Sequence, residues 1–145
     1  MAAPRHIVCP HCGATNRVPA ERPALLAKCG QCKRPLFDGH PAAATTANFD
    51  KHLKADEIPL LVDFWAAWCG PCKMMAPHYE RAAQRLEPEV RLLKVDTEAE
   101  PALAQRYQIR SIPTLMLFRG GKPIAQQAGA MDAGRIEAWV RQALG

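Results

Sequence analysis

The sequence predicts an α/β protein with a central mixed β-sheet flanked by helices, preceded by a small four-cysteine module. Strand-like and helix-like segments alternate from about residue 48 to the end of the chain. Four of the six cysteines form two Cys-x-x-Cys pairs near the N-terminus, where apolar periodicity is weak. The 145 residues, 48% of them hydrophobic, suit one compact domain with a small appendage. We therefore predict a module at residues 1–37 and an α/β domain at residues 38–145.

The composition argues against several classes of protein. No segment approaches the roughly 18 consecutive apolar residues that a membrane span needs. The first residues lack the apolar core of a secretory signal, so we expect a cytoplasmic protein with no membrane partner. The net charge of +5 is modest and typical of ordinary solubility, so no nucleic-acid partner is expected. In a reducing cytoplasm, six cysteines indicate metal ligands or redox catalysts rather than three disulfides.

The four early cysteines have the spacing of a metal site. Cys9 and Cys12 are separated from Cys29 and Cys32 by sixteen residues, and each pair can direct two thiolates at one ion. Zinc is the favoured ion, one per chain, although iron in a rubredoxin-like site uses the same sulfur arrangement. Two structural disulfides are the other alternative. The module is too small to fold without such a staple, which the metal would supply.

The first half of the α/β domain contains a connection, a helix, a strand and a second helix. Residues 38–46 form the connection, and their alanines are compatible with a first edge strand. Asn48 is a candidate cap for a short helix ending near Leu53. The apolar run at residues 58–65 suits a buried strand, and residues 73–86 have helical spacing interrupted by Pro77.

The second half continues the alternation and ends in a hairpin and a helix. In order, we predict a strand, a helix, two strands joined by a glycine turn, and an amphipathic helix, at residues 90–95, 99–107, 114–118, 123–128 and 132–144. The turn at residues 119–122 favours antiparallel pairing of the last two strands. A sheet that combines this hairpin with parallel crossovers is mixed.

The third cysteine pair lies between a predicted buried strand and a predicted helix. At a helix N-terminus, free N–H groups and the helix dipole favour a thiolate, so Cys69 is the expected nucleophile. Cys72, one turn into the helix, can then attack a mixed disulfide on Cys69. Pro71 suits the first turn because no N–H donor is needed there.

These residues resemble the active-site motif of the thioredoxin family, which reads here as Trp68-Cys69-Gly70-Pro71-Cys72-Lys73. Further matches extend the resemblance over residues 45–145: Asp63, Pro77, Lys94, Ile112-Pro113-Thr114, Gly121 and Gly129. With the cysteine module added, the chain resembles the zinc-containing bacterial members of that family. Gln108 is a departure, because the family usually has Gly there, for a backbone conformation that Gly tolerates best.

The resemblance implies a thioredoxin fold and a protein disulfide reductase. Its partners would be disulfide-containing proteins and an NADPH-dependent thioredoxin reductase, with no bound organic cofactor, and the chain is expected to be a monomer. The Gly-Pro dipeptide disfavours the alternative of a thiol oxidase or isomerase on the same fold. An alternative of another class is a zinc-dependent, redox-regulated binding or chaperone protein.

The resemblance also implies roles for individual residues. The expected catalytic residues are Cys69, Cys72, Asp63 and Pro113, and the expected substrate contacts are Trp68, Gly70, Pro71 and Ile112. Asp63, if buried, would accept the proton of the Cys72 thiol. The peptide bond before Pro113 is expected to be cis and to turn the Ile112 backbone toward an extended substrate.

Four side chains have simpler structural interpretations at this point. Asp63 could instead face water at a sheet edge. Lys94 could pair with Asp63 or be a solvated charge at a strand end. Met74 and Met75 are both expected to pack in the core.

Overall fold

A computed structural model describes residues 3–145, so Met1 and Ala2 of the predicted module lie outside the described residues. The strands are β1 (Arg5–Val8), β2 (Thr15–Val18), β3 (Ala42–Ala43), β4 (Leu60–Trp65), β5 (Arg91–Asp96), β6 (Thr114–Arg119) and β7 (Lys122–Ala128). The helices are α1 (Thr46–Ala55), α2 (Gly70–Leu86), α3 (Pro101–Arg106) and α4 (Ala133–Leu144). A short 3₁₀ helix, Ala24–Leu26, lies in the module.

The five strands β3 to β7 form one mixed sheet in the order β3-β5-β4-β6-β7. β3 and β4 run parallel to β5, while β6 pairs antiparallel with both β4 and β7. The predicted fold class, the edge strand in the connection and the C-terminal hairpin are therefore confirmed. β4 lies in the centre of the sheet and ends where the third cysteine pair begins.

Apolar side chains cover both faces of this sheet. On one face, Tyr79 from α2 and Ile136 from α4 pack against strand residues such as Leu61. On the other face, Phe49 from α1 packs against Phe118 with ring centres 5.7 Å apart. Because both faces are covered, the central strand is apolar almost throughout, as expected for parallel strands between helices.

The start of α1 differs from the prediction. Thr45, not Asn48, is the N-cap: its hydroxyl accepts the N–H of Asn48 at 3.2 Å, and the Asn48 side chain accepts the N–H of Thr45 at 2.8 Å. Asn48 therefore sits at the third helical position of a reciprocal capping box. The predicted start was wrong by three residues because either residue type can cap a helix.

Gln108 adopts the left-handed backbone conformation that glycine usually supplies at this position of the family. Its φ is +53°, in the left-handed region that usually requires glycine. The turn after α3 keeps this geometry through hydrogen bonds from the N–H of Gln108 to Gln105 and of Ile109 to Ala104. The side chain therefore costs about 1 kcal/mol relative to glycine at this position.

The cysteine module packs against the end of the sheet where β4 and β5 begin. Both backbone polar groups of Val8 are bound: its N–H donates to the Asp56 carboxylate at 2.7 Å, and its carbonyl accepts from the Arg91 guanidinium at 3.2 Å. Asp56 also hydrogen-bonds His52, and all three side chains are buried. Ile58 joins the apolar core of the module. Cys9, the next residue after Val8, is thereby tied to the α/β domain.

No helix in residues 3–145 combines the length and the apolar character that crossing a membrane requires.

Candidate functional site

The third cysteine pair lies at the first turn of α2, as predicted. Cys69 is the N-cap residue and Cys72 lies one turn into the helix, with a Cα–Cα distance of 5.2 Å. The two form a disulfide in this structure, and both are buried. The N–H of Cys72 donates to Cys69 Sγ at 3.2 Å. After reduction, that donor and the helix dipole would stabilise a thiolate on Cys69.

The Ile112–Pro113 segment lies beside the sulfur of Cys69. The peptide bond between Ile112 and Pro113 is cis, which confirms the prediction. The carbonyl oxygen of Ile112 is 3.7 Å from Cys69 Sγ, and its side chain packs against the buried dithiol. An extended segment bound along Ile112 would therefore pass close to Cys69 Sγ.

Two exposed apolar side chains, Trp68 and Met74, flank the cysteine pair in the chain. Trp68 is 68% exposed, and its indole N–H donates to the Glu98 carboxylate at 2.6 Å. Met74 is 73% exposed, so its predicted place in the core was wrong, whereas Met75 is buried as expected. Helical geometry explains the difference, because adjacent residues of α2 point about 100° apart and only one faces the sheet.

Glu98 was missed by the sequence analysis, although a signal was present. It follows β5, whose last residue, Asp96, pairs with Trp65 at the end of β4. Parallel neighbouring strands end at the same edge of a sheet, so a side chain just after β5 lies near the cysteine pair just after β4. Glu98 fixes the Trp68 ring and places a negative charge beside the site.

Asp63 lies on the central strand β4 and is buried, which excludes a position at a sheet edge. Burial raises the pKa of Asp63 to about 7, partly offset by the positive charge of Lys94. One of its oxygens has no hydrogen-bond partner among residues 3–145. A carboxyl with this pKa exchanges its proton near neutral pH, which suits a general base.

Lys94 influences Asp63 without forming an ion pair with it. The two residues are register partners on β4 and β5. Within the described part of the chain, however, no nitrogen–oxygen contact of 4.0 Å or less joins them. The Lys94 ammonium instead lies 4.7 Å from the centre of the Trp65 ring. The pairing that the sequence left open is therefore an electrostatic influence over a longer distance.

The four early cysteines converge as the spacing predicted. Their sulfur atoms all lie within 4.8 Å of one another, with Cys9 and Cys32 3.7 Å apart and Cys12 and Cys29 3.5 Å apart. Tetrahedral zinc with Zn–S bonds of about 2.3 Å requires sulfurs about 3.8 Å apart. All four are free thiols, in contrast to the alternative of two structural disulfides. The donor set therefore fits a thiolate-bound metal ion.

Hydrogen bonds to the sulfurs support thiolates at this centre. The N–H groups of His11 and Gln31 donate to Cys9 and Cys29, each at 3.4 Å. The Cys32 N–H and the Asn16 side-chain amide lower the pKa of Cys29 to about 6. Burial raises the pKa of Cys9 to about 12, and a bound cation would favour its thiolate. Asn16 was not identified from the sequence, because an isolated Asn in a short strand carries no ligand pattern.

The dithiol and the cysteine cluster lie at opposite ends of the sheet. The cluster packs where β4 begins, and the dithiol follows its last residue. Six residues of strand separate these ends by about 20 Å. A metal ion bound by the cluster would therefore be too far from Cys69 to contact its sulfur.

Comparisons with known proteins match the α/β domain and the four-cysteine module separately. The sequence model of the family described as Thioredoxin matches residues 40–142, and the one described as Thioredoxin 2, N-terminal, a zinc ribbon, matches residues 8–34. The chain is 43% identical to Thioredoxin C-3 of Corynebacterium nephridii over 138 residues, which cover 95% of this chain and 94% of that protein. It is 47% identical to Thioredoxin 1 of Synechococcus elongatus over 90 residues, 62% of this chain and 84% of the relative.

Proposed function

We propose a function for this chain on the basis that it belongs to the thioredoxin family. As a member it is a thiol–disulfide oxidoreductase, a protein disulfide reductase whose substrates are disulfide-containing proteins. The observation that carries the proposal is the Cys69–Cys72 pair at the N-terminus of α2, beside the cis Ile112–Pro113 bond. We assign this activity to a thioredoxin domain at residues 38–145 and metal binding to a module at residues 1–37.

In the first step, a substrate disulfide binds against the exposed surface beside the dithiol. Trp68, Gly70, Pro71 and Ile112 are the proposed contacts, with backbone hydrogen bonds at Ile112 that tolerate many sequences. The Cys69 thiolate attacks one substrate sulfur. The substrate S–S bond breaks, a mixed disulfide forms, and the departing substrate thiolate takes a proton from water.

In the second step, Cys72 resolves the mixed disulfide. The Asp63 carboxylate accepts the Cys72 proton, and the resulting thiolate attacks the sulfur of Cys69. The second substrate thiolate leaves, so the substrate gains two electrons and the enzyme is left with the Cys69–Cys72 disulfide present in this structure. Pro113, buried beside the pair, holds the Ile112 backbone in position for both steps.

The oxidised enzyme is returned to the dithiol by electrons from outside the chain. We propose an NADPH-dependent thioredoxin reductase as the donor, with the protein acting as a cytoplasmic monomer and carrying no organic cofactor. Each turnover consumes two electrons, so the reaction needs a continuous external supply of them. Family membership supports thioredoxin reductase as that supply.

A coupled insulin assay tests this function. With NADPH and thioredoxin reductase, the protein should catalyse insulin reduction, measured as NADPH consumption, and Cys69→Ser should remove the activity. Lys122→Glu, on exposed β7, is the matched surface control and should retain it. If insulin stays oxidised although the protein is folded and metal-loaded, the alternative of a zinc-dependent binding protein replaces the reductase.

The four-cysteine module is a metal-binding centre, and we propose that it holds one zinc ion per chain through Cys9, Cys12, Cys29 and Cys32. Bound zinc would staple the module without entering the redox steps. The apolar core that so short a segment can bury is otherwise too small for independent stability.

Elemental analysis of the purified protein should find about one zinc per chain, because four convergent thiolates complete a tetrahedral site. Changing all four cysteines to serine should reduce the metal content to background. Iron in place of zinc, metal that persists in the serine variant, or no metal after purification under reducing conditions would each contradict the assignment.

A further inference from the structure

The net positive charge of the chain comes from its N-terminal module. Residues 1–37 contain six of the 19 Lys and Arg residues and one of the 14 acidic residues. The remaining 13 cations and 13 acids cancel, so the formal net charge of +5 belongs entirely to the module. A divalent ion on four thiolates would subtract two charges, and the module would still be positive.

The positive charges of the module are available to a partner. Five of its six cationic side chains are exposed: Arg17, Arg22, Lys28, Lys33 and Arg34. Within residues 3–145, none of these five lies within ion-pair distance of a carboxylate.

Two leucines project from the same part of the module. Leu25 is 52% exposed and Leu26 is 77% exposed, on the 3₁₀ helix between Arg22 and Lys28. Buried Ala24 and Ala27 anchor that helix in the core of the module. The N–H of Leu26 donates to Pro23 and the N–H of Ala27 donates to Ala24, so the leucines stand on an ordered backbone.

We propose that the four residues Arg22, Leu25, Leu26 and Lys28, called here the basic leucine surface, dock an acidic protein segment that carries aliphatic side chains. Carboxylates of the partner would neutralise the two flanking cations, while its aliphatic groups cover the leucines. Leu25 and Leu26 are two of the five large apolar side chains that are exposed among the described residues, and they are adjacent in the chain.

A protein partner fits this surface better than a nucleic acid. Single-stranded nucleic acids are held by bases stacking on exposed aromatic side chains. The only Phe, Tyr or Trp in the module sequence is Phe37, which is buried beneath the Arg91 guanidinium, 4.2 Å from the ring centre. The basic leucine surface offers aliphatic contacts instead, which favour apolar side chains.

The basic leucine surface belongs to a module that packs at the end of the sheet opposite the dithiol. Docking there leaves Cys69 accessible. A large acidic substrate held at this surface would therefore present its disulfides at an increased local concentration, without competing for the active site.

The test is binding of a fluorescent twelve-residue peptide in which Glu and Leu alternate, measured by anisotropy with the full-length, metal-loaded protein. The parent should bind with a Kd of about 100 μM or tighter at low salt and more weakly as salt is added. R22E/K28E and L25S/L26S should each weaken binding about tenfold. The matched control, K122E/I124S, alters an exposed cation and the 42%-exposed Ile124 on β7 and should change it less than twofold.

Each other result overturns the proposal. Equal weakening by K122E/I124S would mean non-specific adhesion, and unchanged binding in both module variants would place the peptide elsewhere. Tighter binding of a twelve-nucleotide oligothymidine, insensitive to L25S/L26S, would assign the charge to nucleic acid. Insulin reduction by the module variants should remain at the parental rate, so failure of docking is distinguishable from failure of the reductase function.

Discussion

Cys72→Ser is expected to convert the protein into a trap for its substrates. Cys69 should still attack substrate disulfides, because the N-cap position and the N–H of residue 72 still favour its thiolate. Without the second sulfur, the mixed disulfide cannot be resolved from within the enzyme. Non-reducing gels of protein incubated with oxidised substrates should show covalent adducts that disappear after treatment with dithiothreitol. Turnover in the coupled insulin assay should fall to background.

Cys69→Ser is the matched control for this experiment. It keeps a thiol at Cys72, but that sulfur lies one turn inside α2, without the N-cap position that favours a thiolate on Cys69. We therefore expect almost no adducts and no insulin reduction. Equal trapping by the two variants would mean that the sulfurs are equivalent, and the assignment of Cys69 as nucleophile would be wrong.

Asp63→Asn is expected to stabilise the fold and to slow catalysis. Burial raises the pKa of Asp63 from 3.8 to about 7, so the folded state binds more protons than the unfolded state between these values. The free energy of unfolding of the parent must therefore fall as pH rises through this window. A shift of about three units corresponds to roughly 4 kcal/mol, which the neutral amide should recover at pH 8. Urea unfolding of both oxidised proteins at pH 4 and pH 8 measures the effect, and the variants should differ little at pH 4.

The same substitution should slow the resolving step on the order of 10²-fold near pH 7.5, because the amide cannot accept the Cys72 proton. Stopped-flow measurement of mixed-disulfide decay tests this, and the inflection near pH 7 should disappear. Glu87→Gln is the matched control, since burial also raises the pKa of Glu87 to about 7. Glu87 follows the far end of α2, about 26 Å from Cys69. If mixed-disulfide decay has the same rate in Asp63→Asn and in the parent, Asp63 has only a structural role.

The sequence predicted the parts of the fold that depend on local patterns. Helix and strand order follows from apolar periodicity, and the turn at Gly120 and Gly121 follows from the need for positive φ, which is 61° and 80° there. The convergence of the early cysteines was also predictable, because two Cys-x-x-Cys pairs at this spacing are typical of a four-cysteine metal site. Met74 was misplaced because two adjacent methionines do not indicate which of them faces the sheet.

The contact between the module and the sheet could not be predicted. Asp56 and Arg91 lie 48 and 83 residues from Val8, and charged residues are usually interpreted as solvated surface. Only the three-dimensional arrangement shows that both are buried and bind the backbone N–H and carbonyl of the same residue, Val8. The indole contact of Glu98 escaped prediction for a similar reason, since it joins residues 30 positions apart.

The reduction potential of the Cys69–Cys72 couple tests the reductase account most directly. Equilibration with defined ratios of reduced and oxidised glutathione, followed by fluorescence of Trp65 and Trp68, measures it. We expect a reduction potential of about −270 mV, the value typical of thioredoxin. Strongly oxidising periplasmic enzymes of the same chemistry have about −120 mV, a difference of roughly 7 kcal/mol for two electrons. A potential near −270 mV supports a donor of electrons to protein disulfides, and a potential near about −120 mV would contradict it and indicate an oxidase.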